Sequence, residues 1–370
     1  MKKFSIRKRY SVLILICLLM VFLNVLSRVY SPFADFYTEK IFPIITNTFS
    51  FISGLFPFSV GEILIITGIL LVIVGIPVTI ILLIFGKKFR RKTLSVVSFL
   101  YLFAFTFVLT TETMNCFIMY QCKPFSEKYL KHSEHTESQI TELYSLLIEK
   151  ANALSEQVSR DSMNYFEFTD DVNPEARRAM KKASETFNQL KGYYPKAKPI
   201  QFSYFMSQSH LSGIYFPFSL EANYNDDMCR TNLPETVCHE LSHLKGFIQE
   251  DEANFISFYA TTQCSDDLSF QYSGYLSALE YVHNEIYNQN ITEAFYLTDS
   301  ISDNVRRDWF RFMPDNYWEE NKEKEVIPTE TLSTVSTNAI DTNIKANGRT
   351  DGIKSYSLVV ELLLDFYYPD

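Results

Sequence analysis

Two histidines with four-residue spacing, and a glutamate directly after the first, form the run His239-Glu240-Leu241-Ser242-His243. On a helix, side chains at positions i and i+4 lie on one face, roughly 6 Å apart at Cβ, so both imidazoles can bind one metal ion. The glutamate beside the first histidine then lies near a metal-bound water and can accept its proton. The spacing therefore predicts a metal-dependent hydrolase in which Glu240 is the catalytic base.

A third protein ligand is expected nearby, because a catalytic zinc ion has three protein ligands and one open position. The acidic run Glu250-Asp251-Glu252 follows the motif, and Glu250 or Glu252 can supply the carboxylate. Gly246 lies between the motif and this run, where a chain that turns back towards the metal needs a residue tolerant of positive φ. The predicted cofactor is Zn²⁺, and its predicted ligands are His239, His243 and one of the two glutamates.

The surrounding residues favour a helix for the motif. Pro234 suits the first helical position, and Val237, Leu241 and Leu244 form an apolar stripe that can pack against a core. A second helical pattern begins after Gly246. The competing interpretation is an ordinary amphipathic helix with two solvated histidines.

The layout of HExxH, a turn, and then Glu-x-x-Ala-Asn resembles the gluzincin metallopeptidases. Their second helix supplies a glutamate ligand, and an Asp or Asn four residues later orients a ligand histidine. The resemblance implies that Glu250 is the third ligand and Asn254 the orienting residue, with Glu252 ranked second. The chain departs from the family because its connection from His243 to Glu250 is short. Gln249 stands where the similar metzincin spacing has a third histidine.

The wider chain resembles an uncharacterised bacterial membrane family, a domain of unknown function in which three N-terminal spans precede a zincin-like domain. The resemblance covers most of the chain and implies no established substrate. It rests on Pro57-Phe58-Ser59-Val60-Gly61-Glu62, on residues 213–218 and 239–255, and on the tail from Lys345 to Tyr368.

Three apolar stretches, at about residues 10–27, 63–85 and 93–111, are long enough to cross a bilayer, which takes roughly 20 residues. Residues 1–100 carry 12 Lys or Arg and three Asp or Glu, whereas the rest carries 22 and 40. This asymmetry predicts a membrane region at 1–114, joined to an acidic soluble domain at 115–370, and argues against nucleic-acid binding.

Two basic clusters predict the orientation in the membrane. They lie at residues 2–9 and 87–92, and both are expected to stay cytoplasmic. The protein is therefore predicted to be a multi-pass cell-membrane protein with a cytoplasmic N-terminus and an extracytoplasmic catalytic domain. No small-x-small cleavage site follows the first span, which we interpret as an uncleaved anchor. The loop 28–62 is predicted to be a partly helical segment at the membrane interface.

The predicted fold is mainly α with a small β-sheet: three transmembrane helices followed by an α+β zincin-like domain. Residues 199–206 and 213–218 are short, aromatic and bounded by Gly and Pro, which is typical of strands. Pro217 indicates an edge strand, which can pair with an extended peptide or be a plain hairpin edge. Helical periodicity covers residues 137–158, 174–190, 268–287, 292–312 and 355–364.

An oxyanion-stabilising residue is expected from the C-terminal part, because zincins often use a Tyr, His or Arg there. Tyr356 is our candidate, with Arg306, Arg307 and His283 as alternatives.

The cysteines divide into two groups. Cys116, Cys122, Cys229 and Cys264 can pair on an oxidising side or remain free thiols, whereas Cys17 and Cys238 are not expected to pair.

The resulting hypothesis is a membrane-bound zinc metallopeptidase whose partners are the lipid bilayer and a peptide or protein substrate. The alternative is a catalytically silent zinc-binding sensor or scaffold. A channel or transporter is a weaker interpretation, because no span carries a central ionisable residue.

Overall fold

The computed structural model describes residues 2–86, 88–347 and 356–369, which are mainly helical. The chain divides into two compact units. The first comprises Met1–Cys122 together with the short segment Phe216–Glu221. The second comprises Lys123–Tyr215 and Ala222–Asp370 and carries the HExxH motif.

The first unit contains three helical stretches that are long and apolar enough to cross a membrane: Lys8–Val29, Val60–Phe85 and Arg90–Gln121. They carry large exposed apolar side chains, such as Leu15 and Phe85, that hydrocarbon accommodates and water does not. The three predicted spans are therefore confirmed as candidate membrane helices and indicate a membrane protein, while their orientation stays a prediction. The helices of this unit are α1 Lys2–Val29, α2 Ser31–Phe36, α3 Phe42–Ser53, α4 Val60–Ile73, α5 Gly75–Phe85 and α6 Arg90–Glu112.

Helix α4 begins with its backbone N–H groups satisfied by two side chains. Ser59 Oγ accepts the N–H of Glu62 at 3.1 Å, as an N-cap serine does. The buried carboxylate of Glu221 accepts the N–H groups of Val60 at 3.2 Å and Gly61 at 2.7 Å. A negative charge at a helix N-terminus is favourable, so this contact stabilises the start of the second span.

The second unit is built around packed helices. The predicted helices at 137–158 and 174–190 are confirmed as α8 and α9, and a capping box between Thr136 and Gln139 starts α8. The predicted 292–312 helix is instead a 3₁₀-helix at Thr292–Ser300 followed by α14. The helices are α7 Phe125–Tyr129, α8 Glu137–Ser155, α9 Val172–Thr186, α10 Ser203–Gln208, α11 Leu233–His243, α12 Glu250–Gln263, α13 Leu268–Asn288, α14 Asp303–Asp308, α15 Tyr317–Glu320, α16 Thr329–Ala346 and α17 Tyr356–Tyr367.

A three-stranded sheet has the order β1-β3-β2, with β1 Lys198–Pro199, β2 Gly213–Phe216 and β3 Glu221–Tyr224. β1 pairs with β3 in parallel. A four-residue connection joins β2 to β3, which only an antiparallel pair permits. β2 therefore lies at the sheet edge, as its sequence predicts, and it ends before Pro217.

The strand predicted at 199–206 is wrong, because β1 ends at Pro199 and α10 begins at Ser203. The aromatic residues in this segment suggested alternation. However, the buried side chains, Tyr204 and Ser207 among them, have helical spacing, while Phe202 is exposed.

Helix α12 packs against two other helices. Gly274 of α13 lies so close that a Cβ there would be 2.9 Å from the Thr262 side chain. Phe366 of α17 packs against Phe255 and Tyr259, with ring centroids 5.9 and 5.7 Å apart. This burial holds the first residue of α12, Glu250, in a defined place. None of the six cysteines, all of which lie in the described residues, forms a disulfide.

We predict that Gly61→Ala destabilises the protein by about 1–3 kcal/mol, because overpacking a filled site forces side chains to shift. A Cβ at Gly61 would be 2.7 Å from Cγ of the buried Phe216 ring. The matched control is Gly68→Ala in the same helix, where nothing lies within 4 Å of the added carbon. Thermal unfolding of the purified chain in detergent measures both variants. Equal midpoints for the two would contradict the close approach of Phe216.

Candidate metal centre

The HExxH motif forms the last five residues of α11, a helix that its sequence predicts. Pro234 lies in the first turn, and Val237, Leu241 and Leu244 are buried against the core. The two histidines lie on the other face, where their ring centroids are 4.6 Å apart and the rings are perpendicular. Apolar packing on one face thus leaves both imidazoles together on the opposite one.

A tight turn returns the chain to these imidazoles. Gly246 has φ 89°, a conformation that residues with a Cβ rarely adopt, and its N–H donates to the carbonyl of His243 at 3.0 Å. Phe247 then places its carbonyl 2.7 Å from Nδ1 of His243. After this turn α12 begins at Glu250, whose side chain points back to the motif.

The carboxylate of Glu250 lies against both histidines. Its Oε2 is 3.1 Å from Nε2 of His239 and 3.8 Å from Nε2 of His243. Ligand atoms that share a tetrahedral zinc ion at roughly 2.0–2.2 Å are separated by about 3.4 Å from one another. The two observed distances lie on either side of that value, so the three side chains fit one ion.

Glu240 is the second carboxylate at the site. The ligand atoms of His239, Glu240 and His243 all lie within 4.8 Å of one another, so distance alone also permits Glu240 as a ligand. Glu250 is the other carboxylate that distance permits, because one of its oxygens lies against both Nε2 atoms. Glu240 is 4 % exposed, and its Oε2 is buried with no hydrogen-bond partner among the residues that the structure describes. A buried carboxylate without a donor is unfavourable, and a cation or its bound water at this place would satisfy it.

The charges around the site explain the shifted pKa values of its carboxylates. Burial raises the pKa of Glu240 to about 8, and the negative charges of Glu250 and Glu235 act in the same direction. For Glu250, burial would raise the pKa, but the hydrogen bond from His239 and the charges of both histidines outweigh it and lower the pKa to about 2. A cation at the histidines would oppose the first of these shifts, because a positive charge nearby favours the ionised form of Glu240.

The two histidines differ in protonation for identifiable reasons. Burial and the charge of His239 lower the pKa of His243 to about 4. Burial would lower the pKa of His239 as well, but the hydrogen bond and charge of Glu250 raise it to about 10. A carbonyl can only accept, so Nδ1 of neutral His243 donates to Phe247 and leaves the lone pair of Nε2 facing Glu250. His243 therefore has the tautomer that a metal ligand needs, and a cation would displace the proton on His239.

Several residues around the site were not assigned from the sequence. Glu235 lies one turn before His239, and its Oε1 accepts a hydrogen bond from Ser257 Oγ at 2.6 Å, which ties α11 to α12. Gly213 packs against the carboxyl group of Glu240, and the ring of Tyr215 lies 6.0 Å from that of His243. The i, i+4 spacing of Glu235 and His239 was the available signal for the first of these residues.

The structure separates the two candidate third ligands. Glu250 lies at the histidines, whereas Glu252 is buried and its Oε1 accepts the N–H of Phe125 at 2.7 Å. The resemblance implied Asn254 as the residue that orients a ligand histidine. For His243, the group observed at Nδ1 is the carbonyl of Phe247.

The structure gives partners for two of the candidate oxyanion residues and leaves the first candidate outside its described side chains. Tyr356 begins α17, and its side chain lies outside the part of the chain that the structure describes. The alternatives have partners of their own. His283 Nδ1 lies 2.7 Å from the hydroxyl of Tyr144, and Arg306 donates to the carbonyl of Ile301.

Comparison with known proteins assigns a family without an activity. A family model described as a protein of unknown function (DUF3810) matches residues 37–364, well over half of the chain, and the chain belongs to that family. No curated protein and no solved structure matches it.

We predict that Glu252→Ala destabilises the protein by about 1–3 kcal/mol, because it leaves the buried N–H of Phe125 without its acceptor. Glu252→Gln retains a carbonyl oxygen at this place and is expected to lose less. Thermal unfolding of both variants tests this structural role. An unchanged midpoint in Glu252→Ala would contradict it.

Proposed function

We propose that this member of the DUF3810 family is a membrane-bound zinc metallopeptidase that hydrolyses peptide bonds on the extracytoplasmic side. One observation carries the proposal: a single oxygen of Glu250 lies against Nε2 of His239 and Nε2 of His243. Zn²⁺ would be held by these three residues, which match the set of two histidines and one glutamate used by known zinc peptidases.

Glu240 is the proposed catalytic base. When bound, zinc supplies a Lewis acid that activates water and polarises a peptide carbonyl. The positive charge of an ion at the histidines would lower the pKa of Glu240 from its raised value, so that its carboxylate can take up a proton. Burial opposes the charged form and therefore favours uptake of the proton, which Glu240 would then pass to the leaving amine to return to its starting state.

An extended peptide is the proposed substrate class. β2 is an edge strand, and Gly213 at its start packs against Glu240. A peptide can add to such an edge through backbone hydrogen bonds, and this would bring a carbonyl near the catalytic base. The partners are then the lipid bilayer and a peptide or protein, and the predicted orientation makes the location extracytoplasmic.

A zinc-binding sensor or scaffold without turnover is the second candidate, and the burial of the site favours it. Glu240 and His243 are 4 and 6 % exposed, so a substrate must approach past Glu250, whose side chain is 43 % exposed. Stoichiometric zinc binding without cleavage of any peptide in a mixed library would support this candidate.

We predict that Glu240→Gln lowers peptide hydrolysis by a factor of at least about 10², the usual contribution of a general base, while zinc content stays at the wild-type level. Chelator-sensitive cleavage of a mixed peptide library and metal analysis on the same preparation measure both quantities. Retained cleavage by Glu240→Gln would refute the role of this residue.

We predict that Glu250→Gln weakens zinc binding by more than about 100-fold, since loss of even an outer partner of a ligand costs 10–100-fold. Glu252→Gln is the matched control and should keep wild-type affinity, because its carboxylate contacts Phe125. Competition with a chromophoric chelator measures both affinities. The reverse order of the two variants would move the third ligand to Glu252.

A further inference from the structure

Strand β2 lies against the motif helix α11 at two positions. A Cβ on Gly213 would be 2.7 Å from Cγ and 2.8 Å from Cδ of Glu240, and the ring centroid of Tyr215 is 6.0 Å from that of His243. Residues two apart on a strand point to the same face of the sheet. One face of β2 therefore covers both Glu240 and His243.

The backbone at position 213 does not itself require a glycine. Among the described residues, the glycines with positive φ are Gly192 and Gly246, so the φ of Gly213 is open to residues that have a Cβ. Glycine inside a strand is destabilising relative to alanine, and it often marks a place where another group approaches the backbone closely. Packing therefore explains this glycine better than backbone conformation does.

The carboxyl group of Glu240 occupies the place of the missing side chain. The three atoms nearest to a Cβ at position 213 all belong to Glu240, and they lie well inside the roughly 3.5–4.0 Å of an ordinary contact between carbon atoms. Glu240 is 4 % exposed, and its carboxyl group lies beside His239 and His243. A side chain at position 213 would therefore displace this carboxyl group from its place beside the histidines.

We propose that Gly213 is a positioning residue for Glu240, because the bare backbone at position 213 determines where the carboxyl group lies. A general base must lie within hydrogen-bond reach of the proton that it takes, and a misplacement of about 1 Å can lower a rate roughly 10²-fold. The consequence for catalysis rests on the proposed peptidase function, whereas the placement of the carboxyl group does not.

Thermal unfolding of the metal-free protein tests the placement without zinc or substrate. The full-length chain is purified in detergent, stripped with a chelator and compared as wild type, Gly213→Ala, Glu240→Ala and the double variant. We expect Gly213→Ala to lower the midpoint of the wild type, because the added carbon overpacks the site. In Glu240→Ala the place is vacant, so the same substitution should raise the midpoint, as replacing glycine does where φ is compatible. Equal decreases in both backgrounds would overturn the proposal.

Peptide hydrolysis by the zinc-loaded protein tests the consequence for catalysis. We expect Gly213→Ala to keep the zinc stoichiometry of the wild type and to lower kcat and kcat/KM by the same factor of at least about 10. Gly274→Ala is the matched control, because its added carbon also overpacks a contact in the second unit but meets the side chains of Thr261 and Thr262. This control should lose stability and keep the wild-type kcat.

A double variant separates positioning from a general loss of structure. Glu240→Asp shortens the side chain by one methylene, so in Gly213→Ala the carboxyl group regains room. The loss of kcat in Gly213→Ala/Glu240→Asp should be smaller than the product of the two single losses by at least about threefold. Single losses that simply multiply, or a Gly213→Ala variant with wild-type kcat, would overturn the proposal. A wild type without turnover would refute only the peptidase, and the unfolding comparison would then decide whether Gly213 positions Glu240.

Discussion

The approach of one carboxylate to two imidazoles at the junction of α11 and α12 is the contact on which the site depends. Glu250 reaches His239 and His243 because the intervening turn is short and because Gly246 adopts a positive φ within it. Apolar residues on one face of α11 pack against the core, and α13 and α17 pack against α12. The packed core therefore holds the two histidines and Glu250 in place, since it leaves α11 and α12 little freedom to move apart.

The same arrangement accounts for the opposite protonation of the two histidines. His239 shares a proton with Glu250, whereas His243 is kept neutral by burial and donates to a backbone carbonyl. A cation can bind to this arrangement because neutral His243 already offers a lone pair, whereas His239 would release its proton when the ion binds. The carboxylate of Glu240 lies beside them, and within the described part of the chain one of its oxygens has no hydrogen-bonding partner, which a metal-bound water would supply.

Local patterns in the sequence were sufficient to predict several of these features. The HExxH helix, the turn at Gly246, the edge strand at Gly213 and the three apolar spans all depend on residues close together in the chain, and each is found in the structure. The choice between Glu250 and Glu252 depended on which one faces the histidines after the turn, which spacing alone left open. The strand prediction for residues 199–206 is wrong because their aromatic side chains suggested a strand, whereas the buried side chains have helical spacing.

Contacts between residues far apart in the chain could not be predicted from the sequence. The hydrogen bonds from Val60 and Gly61 to Glu221 join residues 161 and 160 positions apart, and no local pattern indicated them. The contacts of His132 and His135 with Asp365 likewise join distant parts of the chain.

The most direct measurement of the central claim is anomalous diffraction at the zinc edge from crystals of the zinc-loaded protein. The account predicts a peak about 2.0–2.2 Å from Nε2 of His239, Nε2 of His243 and a carboxylate oxygen of Glu250. Ordered side chains with no anomalous peak between them would contradict it.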